Sequence, residues 1–428
     1  MKKAFLIAAA SSGSGKTTLT IGLLRTLRNK GYNVQPFKCG PDYIDPLYHR
    51  IACDIDSVNL DTWMQTPQQV QKNFTQYAQK AEVSIIEGVM GLYDGANGIE
   101  GSSAEVAELL NIPVILVINA CSMAHSIAPI LKGYLNYRPA TKIAGVIFNN
   151  VGSPRHEQIL RKAAEEVGMP VIGALPRMQE LYATSRHLGL DISETEKINQ
   201  LAEKVAEALS PSFIDTILKV QDSTVNHQPS TVNCQLSTVN SEPPKGLIYI
   251  ARDAAFNFLY RQTIDYLHSR GEIHFFSPLA NETVPQDADL VFLPGGYPEF
   301  FLPQLSKSHS TIESLKQTKA KIWAECGGMM YLSEGIDETD MAGLLPFRTT
   351  MQGARLHIGY RTMMIDGKEF RGHEFHYSSI KGTPPPSVTQ LYNAQGQPVD
   401  TGFYIQENIY AGYTHWLIPA TSIDIGAR

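Results

Sequence analysis

Short, nearly continuous apolar runs alternate along the chain with stretches whose apolar positions recur every three or four residues. The first run is Ala4-Phe5-Leu6-Ile7-Ala8, and Leu19, Leu23, Leu24 and Leu27 follow it at helical spacing. Continuous runs predict strands buried on both faces, and the wider spacing predicts helices lying against them. Further runs fall at 33–37, 83–87, 113–118, 142–148 and 170–174, with helical patterns at 103–110, 154–167 and 196–209. This alternation predicts an α/β fold, a mostly parallel sheet with helices on both faces. Ligands of such sheets gather at the carboxyl ends of the strands, so the residues that follow each run are where chemistry is expected.

The rhythm breaks over residues 211–245. Ser223-Thr224-Val225-Asn226 recurs from Ser230 and again from Ser237, a strict seven-residue repeat. Only Val recurs as an apolar residue, which leaves no coiled-coil seam, and three copies are too few for a solenoid. With Pro229, Pro243 and Pro244 the segment reads as a linker. Cys234 lies inside it. A second α/β pattern then starts with the run 246–251, a helix predicted over 256–270, and strands at 273–276, 289–293 and 321–324. Three regions are therefore expected: a first domain over 1–210, a linker over 211–245 and a second domain over 246–428.

Composition narrows the classes. A chain of 428 residues is long enough for two or three cores. A net charge of −6 argues against a polyanion-binding surface, so no nucleic-acid partner is expected. No apolar run is long enough to span a membrane, and the first strand begins directly after Lys2-Lys3 with no signal-peptide pattern. The five cysteines are scattered without metal-ligand spacing, which suits a reducing, cytoplasmic setting.

The loop after the first run is Ala9-Ala10-Ser11-Ser12-Gly13-Ser14-Gly15-Lys16-Thr17-Thr18. Strand, glycine loop and helix in this order form a phosphate-binding loop whose backbone N–H groups face the phosphates. Gly13, Gly15, Lys16, Thr17 and Thr18 are the candidate ATP contacts, with Lys16 toward the β/γ-phosphates and Thr17 on Mg²⁺. Ala10 replaces the motif's first glycine. Two later loops add charge: Lys38-Cys39-Gly40-Pro41-Asp42-Tyr43-Ile44-Asp45-Pro46 and Glu87-Gly88-Val89-Met90-Gly91-Leu92-Tyr93-Asp94-Gly95. Glu87 ends its run where the acidic residue of a P-loop Mg²⁺ site stands, so Thr17, Asp45 and Glu87 are the candidate metal ligands. Asp42 and Asp45 remain interchangeable between metal and acceptor. Lys38, Asp42, Tyr43 and Asp94 are the candidates for substrate binding. Asn149, after its own run, either reads a base edge or caps a helix.

In the second half, Leu293-Pro294-Gly295-Gly296-Tyr297-Pro298-Glu299 follows a strand and can aim N–H groups at an oxyanion. Glu325-Cys326-Gly327-Gly328 sets a cysteine at a strand-to-helix turn, the layout of a nucleophile elbow. A helix N-terminus there is expected to expose the sulfur and lower its pKa. A thiolate nucleophile needs a base. His415 is the leading candidate, and His373 and His376 in Gly372-His373-Glu374-Phe375-His376-Tyr377-Ser378 compete with it. On a strand, His373 and Phe375 would face one side, Glu374 and His376 the other.

Taken together, these motifs resemble the cobyrinate a,c-diamide synthase family, glutamine-dependent amidotransferases of corrin biosynthesis. The segments that carry the likeness include Arg186-His187-Leu188-Gly189-Leu190 and Ala251-Arg252-Asp253-Ala254-Ala255-Phe256-Asn257-Phe258 as well as those above. The resemblance implies a dethiobiotin synthetase-like first domain and a class I glutamine amidotransferase second domain of flavodoxin-like fold. It makes Cys326 the nucleophile and His415 its activator, with backbone N–H groups of Gly295, Gly296 and Gly327 as the oxyanion hole. It also implies that the usual third member, a glutamate two residues beyond the histidine, is missing; Leu417 stands there. The chain departs from the family after His415, running Trp416-Leu417-Ile418-Pro419. ATP, glutamine and a tetrapyrrole acid are the expected small-molecule substrates, with Mg²⁺ as cofactor and a homodimer left open. Hydrogenobyrinate or nickel-sirohydrochlorin are alternative acceptors, and a P-loop switch ATPase with an inactive second domain is the alternative of another class.

Overall fold

The computed structural model describes residues 3–177, 192–209, 211–219, 246–365 and 367–418. They form two compact units, one ending at Lys219 and one beginning at Gly246 among the described residues. The 223–240 repeat and the 186–190 motif lie outside the described residues.

The first unit runs β1 (Lys3–Ala9), α1 (Lys16–Asn29), β2 (Val34–Cys39), α2 (Ile44–Cys53), β3 (Val58–Leu60), α3 (Pro67–Ala78) and β4 (Val83–Glu87). It continues with α4 (Ser103–Leu110), β5 (Val114–Asn119), α5 (Ile127–Tyr137), β6 (Ile143–Val151), α6 (Pro154–Glu166), β7 (Val171–Pro176), α7 (Ile192–Ala208) and α8 (Pro211–Lys219). The strands form one parallel sheet in the order β3-β2-β4-β1-β5-β6-β7. Alternation along β1 explains its two-sided burial: Ala4, Leu6 and Ala8 enter one core, Phe5, Ile7 and Ala9 the other. β1 sits between β4 and β5; the chain passes from β1 to β2 on one side of it and from β4 to β5 on the other, the kind of switch point at whose carboxyl end ligands of such sheets bind.

The second unit contains β8 (Gly246–Ala251), α9 (Arg261–His268), β9 (Gly271–Phe276), β10 (Leu290–Leu293), α10 (Leu302–Leu305), α11 (His309–Gln317), β11 (Lys321–Glu325) and α12 (Gly327–Leu332). Short strands follow: β12 (Ser333–Ile336), β13 (Thr339–Asp340), β14 (Leu345–Thr350), β15 (His357–Ile365), β16 (Lys368–His376) and β17 (Ser379–Lys381). The last are β18 (Phe403–Gln406), β19 (Ile409–Gly412) and β20 (His415–Trp416). The central sheet has the order β18-β19-β11-β10-β8-β9, with β18 its antiparallel edge. The same alternation operates here: Ile322 and Ala324 of β11 enter one core and Trp323 the other. β15, β16 and β20 form a separate antiparallel sheet that brings His415 opposite His373.

Two expectations need correction. The helix predicted over 256–270 spans only Arg261–His268. Asp253 Oδ1 accepts the N–H groups of Ala255 and Phe256 instead, folding a turn that buries Phe256 and Phe258. The region expected as linker from 211 begins with α8, whose Phe213, Ile214 and Ile217 are buried in the first unit's core. An amphipathic stretch of nine residues was overshadowed by the low-complexity repeat beside it. The sequence reading also left out α2, α3, α5 and the three-residue β3.

Candidate active sites

The phosphate-binding loop follows β1 and leads into α1. Gly13 and Gly15 take φ of 74° and 99°, left-handed values that disfavour any side chain. Ala10 is not among the residues with positive φ, which is why an alanine is accepted at the motif's first position. A Cβ on Gly15 would also lie 2.1 Å from Nδ2 of Asn149. That amide donates to the Ser14 carbonyl at 3.0 Å, so Asn149 braces the loop from β6. It does not cap a helix; Ser153 caps α6. Lys16 donates to the Met90 carbonyl at 2.6 Å, tying the loop to the segment after β4. In that segment Asp94 accepts the N–H of Gly91 at 2.9 Å.

Beside the loop stands a buried cluster of charge. Glu87, fully buried at the end of β4, accepts from Thr17 Oγ1 (2.6 Å), Lys38 Nζ (3.2 Å) and His49 Nε2 (2.8 Å). Lys38 is also paired with Asp45 and lies 3.8 Å from Asp42. Asp42 accepts the N–H groups of Ile44 and Asp45 at the start of α2. Tyr43 is buried at the same place. Burial alone would raise Glu87, but Lys38, His49 and Thr17 outweigh it and hold the carboxyl below its ordinary range. Burial would lower Lys38, yet Asp45, Glu87 and Asp42 together hold it above its ordinary value. Asp45 is pushed up by burial and then by Asp42, against Lys38. Loops that lie apart in sequence thus meet at the carboxyl ends of β1, β2 and β4. His49 was missed; its signal is its place one turn after Asp45 on an amphipathic helix.

The second site forms where β11 turns into α12. Cys326 adopts φ 46° and ψ −106°, a strained conformation at the elbow. Its N–H bonds to the Gly412 carbonyl at 2.8 Å, and its sulfur faces the Phe375 carbonyl at 3.7 Å. The expectation of an exposed, acidified thiol is overturned. Cys326 is 2% exposed, and burial, then Glu299, pushes the thiol well above its ordinary value, against the backbone N–H of Gly327. The helix it starts has six residues, too short to offset that burial.

The glycines pack these groups together. A Cβ on Gly295 would lie 2.1 Å from Cε1 of His415, and one on Gly327 3.1 Å from N of Gly296. A Cβ on Gly296 would strike the Ala255 carbonyl at 2.0 Å. His415 is fully buried, and desolvation, then His373 and His376, lowers its pKa well below the ordinary value. His376 is engaged elsewhere: Nδ1 contacts the Ser378 carbonyl at 2.9 Å and the ring stacks on Tyr413. Glu374 pairs with Arg361 at 2.8 Å. Two carboxyls escaped notice as chemical groups, Glu299 and Glu325, which burial raises to about 7 and about 8. Each directly borders a glycine or cysteine motif, and that adjacency was their signal.

A nucleotide-type P-loop unit and a unit with a buried cysteine elbow define a two-domain glutamine-dependent amidotransferase. Comparison with known proteins agrees. Residues 5–190 match the CobQ/CobB/MinD/ParA nucleotide binding domain, and residues 247–422 match the CobB/CobQ-like glutamine amidotransferase domain. The hydrogenobyrinate a,c-diamide synthase of Brucella abortus is 40% identical over 88% of this chain and 89% of its own length. The cobyrinate a,c-diamide synthase of Priestia megaterium is 39% identical over 96% and 93%, and that of Caldanaerobacter subterraneus 38% over 97% and 95%. The chain belongs to the cobyrinate/hydrogenobyrinate a,c-diamide synthase family, and it is a glutamine-hydrolysing amide ligase. Among the described residues no helix is long and apolar enough to cross a membrane.

Proposed function

We propose that this chain uses ATP and glutamine to amidate the a and c acetate side chains of cobyrinate or hydrogenobyrinate, each through an acyl phosphate. The observation that carries the reading is the presence in one chain of a charged P-loop cluster and of a buried elbow cysteine, Cys326, with a buried histidine, His415, packed on the Gly295 turn. A carboxylate does not accept ammonia at neutral pH, so one site must activate it and the other must deliver nitrogen.

In the first unit, N–H groups around Gly13 and Gly15, with Lys16, Thr17 and Thr18, hold the triphosphate, and Asn149 keeps the loop in shape. An acetate oxygen of the substrate attacks the γ-phosphorus and ADP leaves. Ammonia then attacks the acyl carbon and phosphate departs. Thr17 and Glu87 suit Mg²⁺, since a hydroxyl and a fully buried carboxylate already meet at 2.6 Å beside the loop. Bound there, the cation would neutralise charge on the transferring phosphoryl group. Asp45 is the further acidic candidate, and Lys38, Asp42, Tyr43 and Asp94 line the loops where the acceptor carboxylate would sit.

In the second unit, Cys326 Sγ attacks the side-chain amide carbon of glutamine while His415 takes the thiol proton and returns it to the departing ammonia. N–H groups of Gly295, Gly296 and Gly327 would face the oxyanion. Water then frees glutamate from the thioester. The test is product formation from cobyrinate and from hydrogenobyrinate with ATP and glutamine, read by mass spectrometry. Two successive gains of one amide with glutamate release are expected. Absence of amide product from both acids, or of glutamate, would sink the reading.

A further inference from the structure

The enzyme class normally completes its cysteine–histidine pair with a carboxylate two residues past the histidine, and here that position holds the buried, apolar Leu417. His415 nevertheless has a carboxylate at hand. Glu325 ends β11 and immediately precedes Cys326. It is 3% exposed. Its Oε1 accepts from Trp323 Nε1 at 3.0 Å and from the N–H of Trp416 at 3.2 Å. With one oxygen doubly held, the other is aimed: Oε2 lies 3.8 Å from His415 Nδ1.

We infer that Glu325 is the positioning residue of this glutaminase centre, orienting His415 through Nδ1 and balancing the imidazolium that forms when Cys326 gives up its proton. The inference rests on the reading of Cys326 and His415 as nucleophile and base.

Other groups face His415, and they do not fill this role. His373 lies opposite it across the β16–β20 pair, and with His376 it disfavours a charged imidazole. Glu374 favours that charge, but it is bound to Arg361 and accepts from Thr414 Oγ1 at 3.2 Å. Glu325 Oε2 lies within ion-pair distance of Nδ1. The balance is simple. As the carbon–sulfur bond forms, the thiol proton passes to Nε2, Nδ1–H faces Glu325, and the Nε2 proton leaves with ammonia. The geometry is also economical: one dipeptide at a strand end carries both the nucleophile and the group that steadies its base. The step requires the ionised carboxylate; burial pushes Glu325 up to about 8, so its contribution grows as pH rises toward that value.

The test uses the full chain and Glu325→Gln, whose amide oxygen can still accept from Trp323 and Trp416. Glutaminase kcat should fall about 10²-fold with KM for glutamine changed less than about threefold. Synthesis from free ammonia should be unchanged. The acid limb of the glutaminase kcat–pH profile, which ionisation of Glu325 sets in the wild type, should be lost in Glu325→Gln. Glu325→Asp should restore part of both. If Glu325→Gln does not fold, Trp323→Phe removes one bond that holds the ionised carboxylate and should move that limb to higher pH. A wild-type kcat in Glu325→Gln overturns the inference, as does a fall in kcat with an unmoved acid limb. Glutamine hydrolysis persisting in Cys326→Ala would instead overturn the underlying reading.

Discussion

At the P-loop of the first unit, Lys38, Glu87 and Asp45 lie within a few ångströms of one another, and pairing keeps Lys38 and Glu87 charged despite burial. At the elbow of the second unit, Cys326, His415, Glu325 and Glu299 are all shifted toward their neutral forms. The same desolvation acts in both places, and the presence of counter-charges decides the outcome. Standing charge suits the site proposed to hold a triphosphate and a cation. A neutral, close-packed site suits a thiol whose charge is needed only while a substrate amide is attacked. Paired charge thus gathers around Lys38, whereas at the elbow it is confined to the Glu374–Arg361 pair and the groups nearest the sulfur are held neutral, a division that suits the proposed phosphoryl-transfer and thioester steps.

The largest expected effect separates the two sites outright. Cys326→Ala should lose glutamine-dependent synthesis by roughly 10⁴-fold or more while keeping synthesis from ammonia, measured side by side. Equal loss with both nitrogen sources would mean the sites are not divided as proposed. Next, Lys16→Ala should cut synthesis about 10²- to 10³-fold with either nitrogen source and leave basal glutamine hydrolysis in place. Gly295→Ala should lower glutaminase kcat about 10²-fold by driving His415 aside, again sparing ammonia-dependent turnover.

A stability measurement sharpens the electrostatic contrast. Glu325 ionises near the ordinary carboxylate value when unfolded but near 8 when folded, so the folded chain holds the extra proton between those values. Stability should therefore fall as pH rises through that window, and Glu325→Gln should not share the fall. Urea titrations of the second unit's transition should show the variant gaining on wild type by up to a few kcal/mol between about pH 5 and pH 8. Glu87 works in the opposite sense. Its depressed pKa contributes stability above the ordinary carboxylate value that is lost as pH falls through the folded value. The smallest effect is expected for Asn149→Ala, which removes one bond to the loop: about 1 kcal/mol, read as a few-fold rise in KM for ATP.

Much of this was legible in the order of residues. The run before Gly13–Thr18, the glycine turn after 289–293 and the cysteine between strand and helix are local patterns, and the fold has them at strand ends. Glu87 stood out because it ends an apolar run. His49 and Glu325 did not, because neither owes its place to a local pattern: one reaches Glu87 from a helix 38 residues earlier, the other meets a histidine 90 residues later. The expectation for the Cys326 thiol failed for the same reason. Helix starts are visible in sequence, whereas the degree of burial that outweighs them is not.

Returning from site to chain, local order settles the class of protein, because strand rhythm, Gly-Lys-Thr after a strand and Cys-Gly-Gly before a helix each act over a few residues. It also settles that a nucleotide-binding domain and a glutamine amidotransferase domain share one polypeptide. Packing across the sheets decides the rest: which acids meet Lys38, which carboxylate faces His415, and which groups stay charged. Those outcomes depend on desolvation and on contacts between residues far apart along the chain, and both exist only once the cores have closed.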